Sequence, residues 1–223
     1  MKKITLITAI LVFSSLCCFA QEPPAVQLPK PVNPPISVEA FAGTKYCTFQ
    51  NFVSKKFSPG SAWGVYHIAT YNANYQSPLY NTMVIQSIVN REIYKGLTGG
   101  LGAYMSTTGF HPIAALQYTY AGKTFFTTIL PTVNWSSNNY QSLLMIFQYR
   151  PAIAKSVKLY SRLQIYNSST SFETRTYSYE QVRLGIEVKT FQIGFGVTFE
   201  QLQGEYNFSN ANVGFFVRKE LFN

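Results

Sequence analysis

Few residues in this chain are equipped for chemistry. All nine acidic residues are glutamate, and there are two histidines, His67 and His111. Without aspartate the chain has no Asp-built calcium loop, aspartic dyad or Ser-His-Asp triad. Either histidine would need a serine or glutamate within hydrogen-bond reach to act, as in a lipid-modifying enzyme built on a barrel wall. His67 falls inside a strand-like stretch, and His111 in a loop beside Pro112. Two separated histidines and Cys47 do not make metal-ligand spacing. Gly99-Gly100-Leu101-Gly102 is no phosphate loop, because no helix follows it. We therefore assign no catalytic residue, metal or cofactor.

A second set of charged residues is ordered differently. Arg162, Arg183, Glu187, Glu200, Arg218 and Glu220 all fall on the polar phase of alternating stretches near the C-terminus. In Val157–Tyr166, Val157, Leu159, Leu163 and Ile165 alternate with Lys158, Tyr160, Arg162, Gln164 and Tyr166. In Tyr179–Lys189, Val182, Leu184, Ile186 and Val188 oppose Gln181, Arg183, Gly185, Glu187 and Lys189. In Phe191–Glu200, Phe191, Ile193, Phe195, Val197 and Phe199 oppose Gln192, Gly194, Gly196, Thr198 and Glu200. A period of two marks strands with one apolar and one polar face. If these strands close into a barrel with lipid outside, the charges are enclosed and must be paired or hydrated. They then form either a structural Arg–Glu ladder or a charged constriction. In the ladder, Glu187 and Glu200 are the partners expected for the arginines. Basic residues outnumber acids on these faces, so a pore would prefer anions.

The front of the chain indicates export. Lys2 and Lys3, the apolar run Ile4–Phe13 and Cys18-Phe19-Ala20 make a signal peptide over 1–20. That run is shorter than the roughly 20 residues a spanning helix needs. Cleavage would lower the net charge from +9 to +7 by removing two lysines, and would leave Cys47 without a disulfide partner. Only 12% of residues are charged while 16% are aromatic, an unusual balance for a water-soluble surface. The basic excess in an exported chain points to anionic lipopolysaccharide and small anionic solutes rather than nucleic acid. Residues 21–37 hold Pro23, Pro24, Pro29, Pro31, Pro34 and Pro35, a stiff periplasmic tether.

From Val38 to the end the pattern is strand, turn, strand. Strands are predicted at 38–43, 46–57, 61–75, 81–95, 97–107, 112–121, 123–135, 140–150, 157–167, 178–189, 191–203 and 211–222. Shorter turns (Lys95-Gly96, Ala121–Lys123, Pro151–Ser156, Thr190) alternate with longer polar ones, as periplasmic turns and outer loops do. If both chain ends are periplasmic, an even count follows: twelve strands, or ten if 38–57 is irregular. Leu143, Met145, Phe147, Val213, Phe215 and Val217 would face lipid, with Tyr118, Tyr120, Trp135 and Tyr149 in aromatic girdles. Stretch 61–75 resists assignment, because Trp63, Val65, Tyr66 and Ile68 occupy both phases.

The chain resembles the small exported β-barrel proteins of Bacteroidota outer membranes. The resemblance rests on Glu39-Ala40-Phe41-Ala42-Gly43, Tyr160-Ser161-Arg162-Leu163-Gln164, Val182-Arg183-Leu184-Gly185 and Asn212-Val213-Gly214-Phe215-Phe216-Val217. The sequence thus predicts an all-β, antiparallel outer-membrane barrel over 38–223. Its expected function is non-enzymatic: a narrow passive pore or a structural surface protein. Two alternatives stand beside it. One is a lipid-modifying enzyme using His67 or His111. The other is a soluble periplasmic lipocalin-like binder with its apolar faces inside.

Overall fold

A computed structural model describes residues 34–106, 109–134, 140–170, 174–202 and 208–221. The signal peptide, nearly all of the proline-rich tether and Trp135 lie outside the described residues. The barrel strands are β1 (Ile36–Gly43), β2 (Tyr46–Lys56), β3 (Trp63–Asn74), β4 (Thr82–Tyr94), β5 (Leu97–Ser106), β6 (Gly109–Ala121), β7 (Phe125–Asn134), β8 (Tyr140–Tyr149), β10 (Val157–Thr170), β11 (Thr174–Val188), β12 (Phe191–Leu202) and β13 (Phe208–Leu221). A three-residue spur, β9 (Ala152–Ala154), prolongs β8 beyond Pro151 and pairs with the start of β10.

Each strand pairs antiparallel with its sequence neighbours, and β1 pairs with both β2 and β13. The Ile36↔Leu221 to Gly43↔Gly214 register therefore closes a twelve-strand barrel and leaves no exposed edge. Both ends of the described chain meet at one rim. That rim also holds the tight Lys95-Gly96 turn, where φ is 32° and 88°, the left-handed geometry a two-residue hairpin needs. We take it as the periplasmic rim. The ten-strand alternative fails because β1 is fully laddered on both sides.

The strands are longer than polarity suggested at the outer rim. Residues 109–111, 167–170, 174–177 and 208–210 continue ladders instead of forming loops. The polar residues do not break the pairing here; Ser168 Oγ donates to the Tyr177 carbonyl at 3.0 Å and Ser169 Oγ to Gln141 Oε1 at 3.4 Å. The expected contrast between short and long turns is correspondingly weak. Between β6 and β7 the pairing skips from Ala115↔Thr132 to Tyr118↔Ile129, at Pro131, which has no N–H to offer.

The apolar phase faces outward, as Leu184, Ile193, Phe195, Val213, Phe215 and Val217 are all exposed. Phe195 and Phe215 pack ring to ring at 4.4 Å on that outer surface. This orientation contradicts the lipocalin-like alternative, in which these residues would be inside. Tyr118, Tyr120 and Tyr149 are exposed near the periplasmic rim, where a girdle belongs.

The unassignable stretch has a simple cause. Trp63 and Val65 point outward while Tyr66 and Ile68 point inward, because this side of the lumen is itself apolar. Phe52, Tyr66, Ile88, Phe126, Leu130 and Leu144 pack there into one buried cluster contributed by β2–β8. The β10–β13 and β1 side of the lumen carries the charge.

Candidate functional site

The inward phase of β1 brings Ser37, Glu39, Phe41 and Gly43 to the charged side of the lumen. Glu39 is 3% exposed, and one of its oxygens accepts from Arg162 Nη2 at 2.8 Å and from Arg183 Nε at 3.1 Å. Arg183 is fully buried and lies flat on the wall, its guanidinium 4.0 Å from the Phe41 ring centroid. Its Nη1 also donates to the carbonyls of Val182 and Val197, both at 3.2 Å. The flat pose requires Gly196: a Cβ there would collide with the Arg183 side chain.

A second group of ions lies toward the periplasmic rim. Arg150 reaches Glu220 at 2.8 Å and Glu187 at 3.3 Å. Glu187 also accepts from Lys158 at 2.8 Å and from Gln192 at 3.2 Å. Arg218 donates to the Tyr160 hydroxyl at 2.7 Å, approaches Glu220 at 3.5 Å and stands opposite Glu39 across the β1–β13 ladder. Five basic groups thus share three carboxylates, an excess of two positive charges. Burial of so many ions is tolerable because each has an opposite charge or a hydrogen-bond partner beside it, and Glu39, Glu187, Arg150 and Arg183 have two or more.

Of the sequence-selected residues, Arg162, Arg183, Glu187, Arg218 and Glu220 come together in this network. Glu200 does not join it. It sits near the outer end of β12 and accepts from the Tyr177 hydroxyl at 2.9 Å. Glu39 and Arg150 were missing from that set. Glu39 was legible in principle, since it shares a phase with Phe41 and Gly43, but the eight-residue strand is too short to show a strong period.

Above the ions the lumen widens into a vestibule of about 810 Å³. Its lining residues cluster at the outer ends of the strands and include Tyr46, Tyr104, Tyr140, Tyr177, Tyr179 and Glu200. Tyr166 stacks on Tyr179 at 5.3 Å, and its hydroxyl lies 3.1 Å from that of Tyr140. The vestibule's floor is closed: Gln164, Arg183, Thr128 and Tyr66, and Gln192 nearer the periplasmic rim, are all buried to 0% exposure beneath it.

The histidines lie elsewhere. His67 is on the lipid-facing side of β3, its Nδ1 2.8 Å from the Ser87 hydroxyl directly across the ladder. His111 is not in a loop as expected but in β6, opposite Tyr104, because pairing continues to Gly109. Among the described residues no three metal-ligating side chains converge.

No known protein family matches the chain in sequence, and neither does any characterised protein. Solved structures do match it in shape. The NanC porin aligns with a TM-score of 0.52 at 12% identity, over 84% of this chain and all of that one. The KdgM porin, solved in complex with disordered oligogalacturonate, aligns at 0.49 and 8% over 84% of this chain and 99% of the other. An outer membrane channel from Pseudomonas putida F1 aligns at 0.45 and 8%, over 90% of this chain and all of the other. At such identities the NanC likeness speaks to the fold, and the fold is that of a small outer-membrane β-barrel.

Proposed function

We propose that the protein is a non-enzymatic outer-membrane barrel of the narrow-pore class, held here with its lumen closed on the periplasmic side. The observation that carries this reading is the nature of the closure. One half of the blocking layer consists of ion pairs with two cations in excess, which can hydrate and part as a packed apolar layer cannot. The two excess positive charges would make the open path anion-preferring, so small anionic solutes are its passengers. Its lipid partners would be outer-membrane lipid and lipopolysaccharide, and the resemblance to Bacteroidota barrels names its expected setting. Planar-bilayer recording of the refolded protein tests the reading. Wild type should be mostly silent, and Arg183→Ala should raise open probability while lowering anion preference. Silence in both proteins would favour a structural surface barrel, and cation preference would refute the lumen assignment.

A second reading, a lipid-modifying enzyme, is favoured by the His67–Ser87 hydrogen bond on the lipid-facing wall. Among the described residues no carboxylate hydrogen-bonds either member, so the pair lacks the orienting third group of an activated nucleophile. Release of fatty acid from phospholipid vesicles, lost on Ser87→Ala, would establish this reading over the pore.

A further inference from the structure

We propose that the outward vestibule is a binding site for a small organic cation, an ammonium group carried on a body with an apolar face, with Glu200 as its counter-ion. Among the described residues every other carboxylate inside the barrel is held by a basic side chain: Glu39 by Arg162 and Arg183, Glu92 by Lys56, Glu187 by Arg150 and Lys158, Glu220 by Arg150 and Arg218. Glu200 alone among these enclosed carboxylates has no basic group within ion-pair distance among the described residues. The Tyr177 hydroxyl donates to one of its oxygens at 2.9 Å, and Lys45 at the rim acts on it only from beyond ion-pair distance.

The surroundings of this carboxylate match a cation and disfavour an anion. Tyr177 and Tyr179 stand beside it on β11, 5.9 Å apart at the ring centroids, and Tyr46 lines the same space. Tyrosine faces carry the negative side of the ring quadrupole, so a desolvated ammonium is held by ring and carboxylate together. The one lysine lining the vestibule, Lys45, is hydrogen-bonded to Asn210 at the rim. A volume of about 810 Å³ suits a ligand of drug-like or disaccharide size, and the remaining wall supplies amides such as Gln86 and Gln181 for its hydroxyl groups. The site is separated from the cationic floor by the tyrosine layer, so cation capture in the vestibule and anion preference below it belong to different levels of one lumen. The inference does not depend on conduction.

Isothermal titration of the refolded protein in non-ionic-detergent micelles, which carry no ammonium group, tests it, with choline and glucosamine as probes and glucose and acetate as controls. Both cations should bind saturably, and glucosamine should exceed glucose at least tenfold in affinity. Glu200→Gln should weaken the cations at least tenfold while the heat-modifiable gel shift of the folded barrel is kept. Glu180→Gln, which removes a carboxylate from the outer face of β11, should hold choline within about threefold of wild type and controls for a general loss of negative charge. Equal binding of acetate and choline, no saturable cation binding by wild type, or a folded Glu200→Gln that binds choline like wild type would each overturn the proposal. Silence of both wild type and Arg183→Ala in bilayers, with intact choline binding, would refute the pore reading and leave this site standing.

Discussion

Replacing Glu39 with glutamine isolates the energetics of the buried network. The substitution keeps the volume and removes one negative charge from a group that serves two guanidiniums. Arg183 retains the carbonyls of Val182 and Val197 and the face of Phe41, so it is only partly deprived. Arg162 is buried, and Glu39 is its ion-pair partner. Breaking a buried pair from one side costs about 3–5 kcal/mol, because the remaining charge stays desolvated. Both partners are at most 5% exposed, so solvent screening gives little relief. Glu200→Gln is the internal control. Glutamine still accepts from Tyr177, and no arginine is orphaned, so its cost should be about 1 kcal/mol, that of an ordinary hydrogen bond. Reversible urea unfolding in lipid vesicles, followed by tryptophan fluorescence and gel mobility, measures both. A Glu39→Gln loss no larger than that of Glu200→Gln, at unchanged denaturant slope, would show that water reaches the network and would refute its description as a dry ion cluster.

Three further outcomes follow from the same geometry. Phe215→Arg, in the middle of β13 on the lipid face, should cost about 2–4 kcal/mol, whereas Ile186→Arg, two residues from the periplasmic end of β11, should cost about 1 or less; equal losses in vesicle refolding would refute the depth assignment. Gly196→Ala should destabilise by about 1–3 kcal/mol, because Arg183 must lift from the wall, and that loss should shrink in the Arg183→Ala background when read as a double-mutant cycle. Deleting residues 22–32 removes no ladder residue and should leave the heat-modifiable gel shift intact; failure to assemble would make the tether part of folding.

The outer surface was legible because it obeys one rule. Lipid demands apolar side chains at every second position, so β10–β13 announce their phase, though not where they end at the outer rim. The lumen obeys no such rule. Tyr66, Ile68 and Ile88 face inward with the same chemistry that faces outward elsewhere, and the period of two disappears from β3 although the strand is regular. The ion network was visible as a phase but not as a pairing. Charges on β10, β11 and β13 share one phase in the sequence, yet their principal counter-ion stands on β1, 123 residues from Arg162 along the chain. Barrel closure creates that proximity, and only the β1–β13 register reveals it. Glu200 shares the phase of Arg183 on the neighbouring strand, so sequence offered it as the natural partner. Depth along the axis separates them, and depth follows from the stagger of the strands, which alternation does not encode.

The position of the ions follows from the glycines that accompany them. Gly185 pairs with Gly194, Gly196 with Gly214, and Gly214 with Gly43, so patches of the inner wall of β11, β12, β13 and β1 are bare backbone. A bare wall gives long side chains room to lie along it, and Arg183 uses that room over Gly196. The opposite wall is lined by isoleucine, leucine and phenylalanine, which fill space by themselves and leave none for a guanidinium. The lumen is therefore divided lengthwise by residue size as much as by polarity. A rearrangement that opens it should begin on the glycine side, where ion pairs can exchange partners for water without opening a cavity in a packed apolar cluster.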